Sequence, residues 1–134
     1  FDAQKILKTL PSILDATRAS GEGIDTVLRV TEGLLSEFGL TANDTTRVVD
    51  TLTAVSMKTR ANFSRMGEAF KYSAGTAKQL GVKMHDLAAV TGLLINAGVE
   101  GGMAGRAMRR VMIRLASPTG AAAKEMKKLG VVMD

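Results

Sequence analysis

The sequence has no cysteine, no tryptophan, one histidine, one tyrosine, four phenylalanines and two prolines in 134 residues. Each scarcity excludes something. Without cysteine there is no disulfide, no thiol chemistry and no thiolate metal site, and the chain suits a reducing compartment. One histidine, His85, cannot build a histidine metal cluster, and no Ser-His-Asp arrangement stands out around it. Placed in the first turn of a helix, it reads as structural. So few rings leave no stacking platform for single-stranded nucleic acid. No apolar run approaches the roughly 18 residues that a membrane-spanning helix needs. The start shows no signal-peptide pattern, and with Phe1 in place of a methionine the sequence reads as a fragment of a longer chain. The glycine stretch "GVEGGMAG", residues 98–105, lacks the Lys-Ser/Thr and the preceding strand of a phosphate loop. No catalytic residue, cofactor, metal or small-molecule substrate is therefore expected.

What is present is a globular composition, with 46% apolar and 23% charged residues. It predicts one domain over residues 1–134, long enough to enclose a core. The net charge of +5 suits an acidic partner such as a nucleic acid, a membrane surface or an acidic protein.

Apolar residues recur at helical steps nearly everywhere. Ile6, Leu7, Leu10, Ile13 and Leu14 mark a first helix that kinks or restarts at Pro11 and stops near Gly21. A second spans 25–38, with Val27, Leu28, Leu34, Leu35 and Phe38 on one face and Gly39 as its cap. Thr41 with Asp44 then opens a third helix, 42–60, despite its β-branched residues. A fourth, 64–80, points Met66, Ala69, Phe70, Ala77 and Leu80 inward, with a kink or break expected near Gly75. The fifth, 86–97, is free of charge after Asp86. It is expected at the centre of the bundle, with Leu87, Val90, Leu94 and Ile95 in the core and small residues such as Gly92 admitting close neighbours. Gly98, Gly101, Gly102 and Gly105 read as a flexible connection into a sixth helix, 103–116, which Ser117-Pro118 ends. A seventh, 119–129, carries Lys124, Lys127 and Lys128 outside and Ala122, Met126 and Leu129 inside. The expected fold is an all-α compact bundle of six or seven helices joined by short glycine turns. The turn at residues 37–48 resembles that at 79–90. This leaves two readings: repeated αα-hairpins at 25–60 and 66–98, or ordinary glycine caps, with a third at Gly130.

The sixth helix concentrates the charge. Arg106, Arg109, Arg110 and Arg114 fall on one side, and Ala107, Met108, Val111, Met112 and Leu115 on the other. Ile113 interrupts the arginines. One reading is a solvated face paired with Glu68, Asp86, Glu100 or Glu125. The other is a contact surface for an acidic partner, made by Arg106, Arg109, Arg110, Ile113 and Arg114.

The stretch "NAGVEGGMAGRAMRRVMIRLASPTGAAAKEMKKLGV" closely resembles the core region of phage tail tape-measure proteins. Asn96, Gly98, Gly101, Gly105, Arg109, Arg110, Arg114, Pro118 and Thr119 match that family's pattern, and "GEAFKY", "LGVKMHDLAAVTGLL", "EFGLTANDTTRVVDTL" and "LPSILDATRASG" are similar to its earlier segments. Arg106 stands where the family has a small polar residue, Lys83 where it has a Ser or Thr cap, and Thr76 where it often has proline. The resemblance implies a structural, non-enzymatic role in a phage or prophage. The long chain would occupy the tail lumen, set tail length during assembly and leave ahead of the DNA at ejection. It further implies tail tube protein, tail assembly chaperones and self-association along the lumen as partners, with non-specific DNA contact, and passage through the host cytoplasm during assembly. The competing reading of the residues is a basic helical nucleic-acid-binding module, because short glycine turns also join the helices of helix-turn-helix domains.

Overall fold

In a computed structural model the described residues are 3–116, Lys128 and Gly130. They form six α-helices and one short 3-10 turn: α1 (Ala3–Ser20), α2 (Ile24–Glu37), the turn Ala42–Asp44, α3 (Thr45–Lys58), α4 (Phe63–Gln79), α5 (Met84–Asn96) and α6 (Gly101–Ala116). No strand occurs among the described residues. Ser117-Pro118 and, apart from Lys128, the proposed seventh helix lie outside them.

The helix ends are set by the expected chemistry. Gly39, Gly81 and Gly98 all take positive φ, at +63°, +78° and +97°. After each, the next residue's N–H donates back to a carbonyl five residues earlier: Leu40 to Leu35 (2.8 Å), Val82 to Ala77 (2.8 Å) and Val99 to Leu94 (3.1 Å). Three helix–helix turns thus share one left-handed glycine cap. The start of α4 is held twice. The Asn62 side chain accepts from Arg65 N at 2.8 Å, and the Glu22 carboxylate accepts from Phe63 N at 2.7 Å and Ser64 N at 3.2 Å. Glu22 thereby fixes the α1–α2 connection onto α4.

α3 is helical although its β-branched residues favour a strand locally. Its threonines are satisfied within the helix: Thr51, Thr53 and Thr59 hydroxyls donate to carbonyls four residues back at 2.7–2.8 Å. Tertiary burial of Thr45, Val48, Val49 and Leu52 supplies the rest.

The central helix is α4, which packs against α2, α3, α5 and α6. α1 lies on α2 and α3. Phe63, Met66, Phe70, Ala74 and Ala77 of α4 join Val27 and Leu34, Val48 and Leu52, and Leu87 in one core. The expectation of a central α5 is therefore overturned. Leu87 and Ile95 are buried, but Leu94 is half-buried and Val90 is 45% exposed. α5 buries one face against α3, where Gly92 meets Val55, and leaves the other open. Leu80, expected inward, is exposed at the end of α4. α1 runs as one helix through Pro11 and does not restart there. Pro11 is exposed, while Ile13 and Ala16 on the same helix are buried. α4 likewise continues through Gly75, because Ala74 and Ala77 bury the turns around it.

The largest departure concerns the glycines. Gly101, Gly102 and Gly105 are not a flexible connection but the first turns of α6, and all three are buried. A Cβ on Gly101 would stand 2.5 Å from the Arg65 carbonyl oxygen, and one on Gly105 would overlap the Ala69 carbonyl. Two backbones touch there, which no larger residue allows. Residues 65 and 69 face 101 and 105 in the same order, so α4 and α6 run parallel.

A paired substitution tests this contact. Gly105→Ala should destabilise the domain by about 1–3 kcal/mol through overpacking. Gly33→Ala, in the exposed middle of α2 with nothing near its added Cβ, should stabilise by about 0.5–1 kcal/mol. Urea melts of both variants check the opposite signs.

Candidate partner-contact surface

The basic helix is positioned by its first turn. Glu100 Oε1 accepts from Gly102 N at 2.7 Å and Oε2 from Met103 N at 3.2 Å, a carboxylate cap on the positive end of α6. These backbone donors hold the Glu100 carboxyl below its ordinary range, and the Arg106 charge adds to the effect. Asn96 Oδ1 accepts from Arg60 N at 3.1 Å and ties the end of α5 to the α3–α4 turn.

With Gly101, Ala104, Gly105 and Met108 facing the bundle, the rotation of α6 about its axis is fixed. Arg106, Arg109, Arg110 and Arg114 are then exposed together, with Ile113 among them at 46% exposure. The Arg106 guanidinium lies over the Tyr72 ring of α4, 4.8 Å from its centroid. Such a contact contributes about 0.5–1 kcal/mol at an exposed site. The carboxylates expected to neutralise the face are engaged elsewhere. Glu68 pairs with Lys71 at 3.2 Å, Asp86 sits 3.3 Å from His85, and Glu100 caps α6. Glu125 lies outside the described residues. Among the described residues no carboxylate comes within 4.0 Å of any of the four arginines.

The apolar side of α6 is less buried than its spacing predicted. Met108 is buried and Ala107 and Met112 are half-buried, but Val111 and Leu115 are exposed, at 56% and 42%. Full burial ends at Met108, so α6 is clamped over its first two turns only. Between α5 and α6 this leaves an apolar groove of about 340 Å³, lined by Leu87, Val90, Leu94, Met108, Val111 and Met112. A second depression of about 450 Å³, lined by Ile95 and Val99 together with Arg60, Arg65, Glu68 and Glu100, lies beside the start of α6.

Of the residues singled out in the sequence, Asn96, Gly98, Gly101 and Gly105 cluster where α5 turns into α6 and where α6 meets α4. Pro118 lies outside the described residues. Tyr72 and the groove were not foreseen. Tyr72 is far from Arg106 in sequence, and the groove needs two helices to exist. The Gly101-x-x-x-Gly105 spacing did carry a signal, since Ala104 and Met108 continue the same stripe.

The family model described as phage-related minor tail protein matches residues 1–134. The chain is 34% identical over 131 residues to the tape measure protein of Pneumococcus phage Dp-1, covering 98% of this chain and 11% of that one. It is 34% identical over 130 residues to the probable tape measure protein of Escherichia phage P2, covering 97% and 16% respectively. No solved structure matches. The sequence match makes this all-α bundle part of a phage tail protein. The chain belongs to the phage-related minor tail protein family, within its tape-measure region, and spans a small part of the length of the relatives it matches.

The Glu100 cap generates a pH prediction. A carboxyl held low in the folded state contributes stability above its unfolded pKa, and this is lost as the pH falls through about 4 and below. Glu100→Gln should therefore lower the melting temperature at neutral pH. The gap from the parent chain should shrink as the pH is taken below the ordinary glutamate range. Thermal melts across that range check it.

Proposed function

We propose that this domain is one folded helical segment of a tape-measure polypeptide that determines tail length. The polypeptide assembles from the host cytoplasm into the tail lumen and takes part in genome ejection. The carrying observation is that nearly the whole chain aligns with small portions of two tape-measure proteins from phages of different hosts. The bundle gives the ruler reading a scale. A compact domain of this length is about 36 Å across, whereas the same residues in one continuous helix would run about 200 Å.

The face made by Arg106, Arg109, Arg110, Ile113 and Arg114 is its partner contact, toward tail tube protein, a tail assembly chaperone or another copy along the lumen. Its support is the lack of a carboxylate partner among the described residues and the exposed apolar Ile113 set among the arginines. Residues 106–114 hold no Asn, Gln or Ser that could read base edges. Phosphate contact by these arginines is sequence-blind and weakens steeply with salt.

In-frame duplication of residues 1–134 within the full-length chain should lengthen tails in electron micrographs. The gain should be near 36 Å if the copy stays compact and near 200 Å if it extends; unchanged tails would overturn the length-setting role. For the face itself, pull-down with tail tube and chaperone proteins should persist at raised salt, because apolar burial is not screened. A duplex bound at least about a hundredfold tighter than scrambled DNA, with Arg110→Ala relaxing the preference, would establish the nucleic-acid module instead.

A further inference from the structure

We infer that the groove between α5 and α6 is a docking site for an amphipathic α-helix that carries acidic residues along one edge. The inference rests on the reading of the arginine face as a protein contact and not on the tail-length role.

The groove has the form that receives a helix. α5 contributes Leu87, Val90 and Leu94 at three- and four-residue steps, and α6 contributes Met108, Val111 and Met112 opposite. Helix-in-groove recognition uses such rows, which accept apolar residues spaced i, i+3, i+4 and i+7. The two methionines can adjust to the entering side chains. Val90 and Val111 are 45% and 56% exposed, and Leu93 beside them is 64% exposed. From Leu87 to Asn96 this open side of α5 carries no charge, and the one carboxylate of the lining, Asp86, stands at its start, 3.3 Å from His85. A helix that faces water yet bears no charge is explained when another apolar surface covers it.

The rim selects the occupant. On α6, Arg110 and Arg114 stand beside Val111 on its solvent side, and among the described residues neither has a carboxylate within 4.0 Å; Asp86 lines the opposite, α5 edge, so the acidic edge of the occupant belongs on the α6 side. A helix laid in the groove removes water from this edge. Uncompensated arginines there would oppose binding, whereas carboxylates on the incoming helix offset the lost hydration. The chain's own residues 119–129 are disfavoured as the occupant, because they bring Lys124, Lys127 and Lys128 against a single Glu125. Nucleic acid is disfavoured because the lining offers nothing to a phosphate. A lipid surface is disfavoured because the apolar lining is concave.

The test uses the 134-residue chain and two labelled helical peptides in fluorescence anisotropy. Both have leucines at i, i+3, i+4 and i+7. One has glutamates along one edge, and the other has lysines in their place. The glutamate peptide should bind about tenfold or more tighter than the lysine peptide. Val90→Asp and Val111→Asp should each weaken it about tenfold or more while leaving the far-UV circular dichroism unchanged. The double variant Arg110→Glu with Arg114→Glu should reverse the preference in favour of the lysine peptide, which keeps the test decisive if an aspartate variant unfolds. Equal binding of the two peptides, absence of binding, or capture of the chain by anionic phosphatidylglycerol vesicles that the glutamate peptide does not compete away would each overturn the proposal. If the arginine variants alone change binding and the valine variants are silent, the arginine face stands as a protein contact and the groove does not.

Discussion

The structure depends on two points where the backbone of α6 lies on the backbone of α4, with no side chain between them. Gly101 against Arg65 and Gly105 against Ala69 set the distance, the register and the parallel direction of the two helices. The rest follows from that placement. Ala104 and Met108 are drawn into the core, and the Thr91 hydroxyl lies 3.3 Å from the Met108 sulfur while donating to the Leu87 carbonyl at 2.7 Å. Glu100 arrives where it can cap α6, Arg106 arrives over Tyr72, and the arginine column is turned to solvent. Parallel neighbours place like helix-dipole ends side by side. The caps from Glu22 and Asn62 on α4 and from Glu100 on α6 supply acceptors at both positive ends.

Much of this was legible in the sequence, for reasons that separate local from tertiary information. Helical spacing and glycine caps are local properties, so the all-α class, most helix bounds and the caps at Gly39 and Gly81 could be read directly. The four arginines share a side of α6 by helical geometry alone, and their exposure was legible too. The glycines misled because low helix propensity and close packing leave the same residue in the sequence. Only the four-residue spacing distinguishes them, and only a partner helix gives that spacing meaning. α5 misled for a related reason. A charge-free helix reads as central, but lack of charge does not by itself place a surface inside the bundle. Val90 and Leu93 show the difference. The pairing of Arg106 with Tyr72 had no local signature at all.

α5 and α6 therefore divide their surfaces between two tasks. Leu87, Ile95, Ala104 and Met108 hold the bundle together. Val90, Leu93, Val111 and Ile113 do not, and replacing them leaves the core intact. The partner contact proposed above accounts for such a surface. The same division separates stability from recognition on one helix pair. Changes at the glycines act on folding, and changes beyond Met108 fall on the proposed contact surface.

The parallel register of α4 and α6 also gives the domain a mechanical polarity. Consider α6 sliding along α4 by one turn. A slide toward its own N-terminus brings Arg109 opposite the Ala69 carbonyl, where even a methyl group does not fit. A slide toward its C-terminus brings Gly101 there instead, with no residue of α6 left opposite Arg65, and the chief obstacle is the short turn at residues 97–100. The glycine contact thus resists displacement unequally in the two directions, like a pawl. A pull on the C-terminal end of α6 acts along the permissive direction and meets the weaker stop.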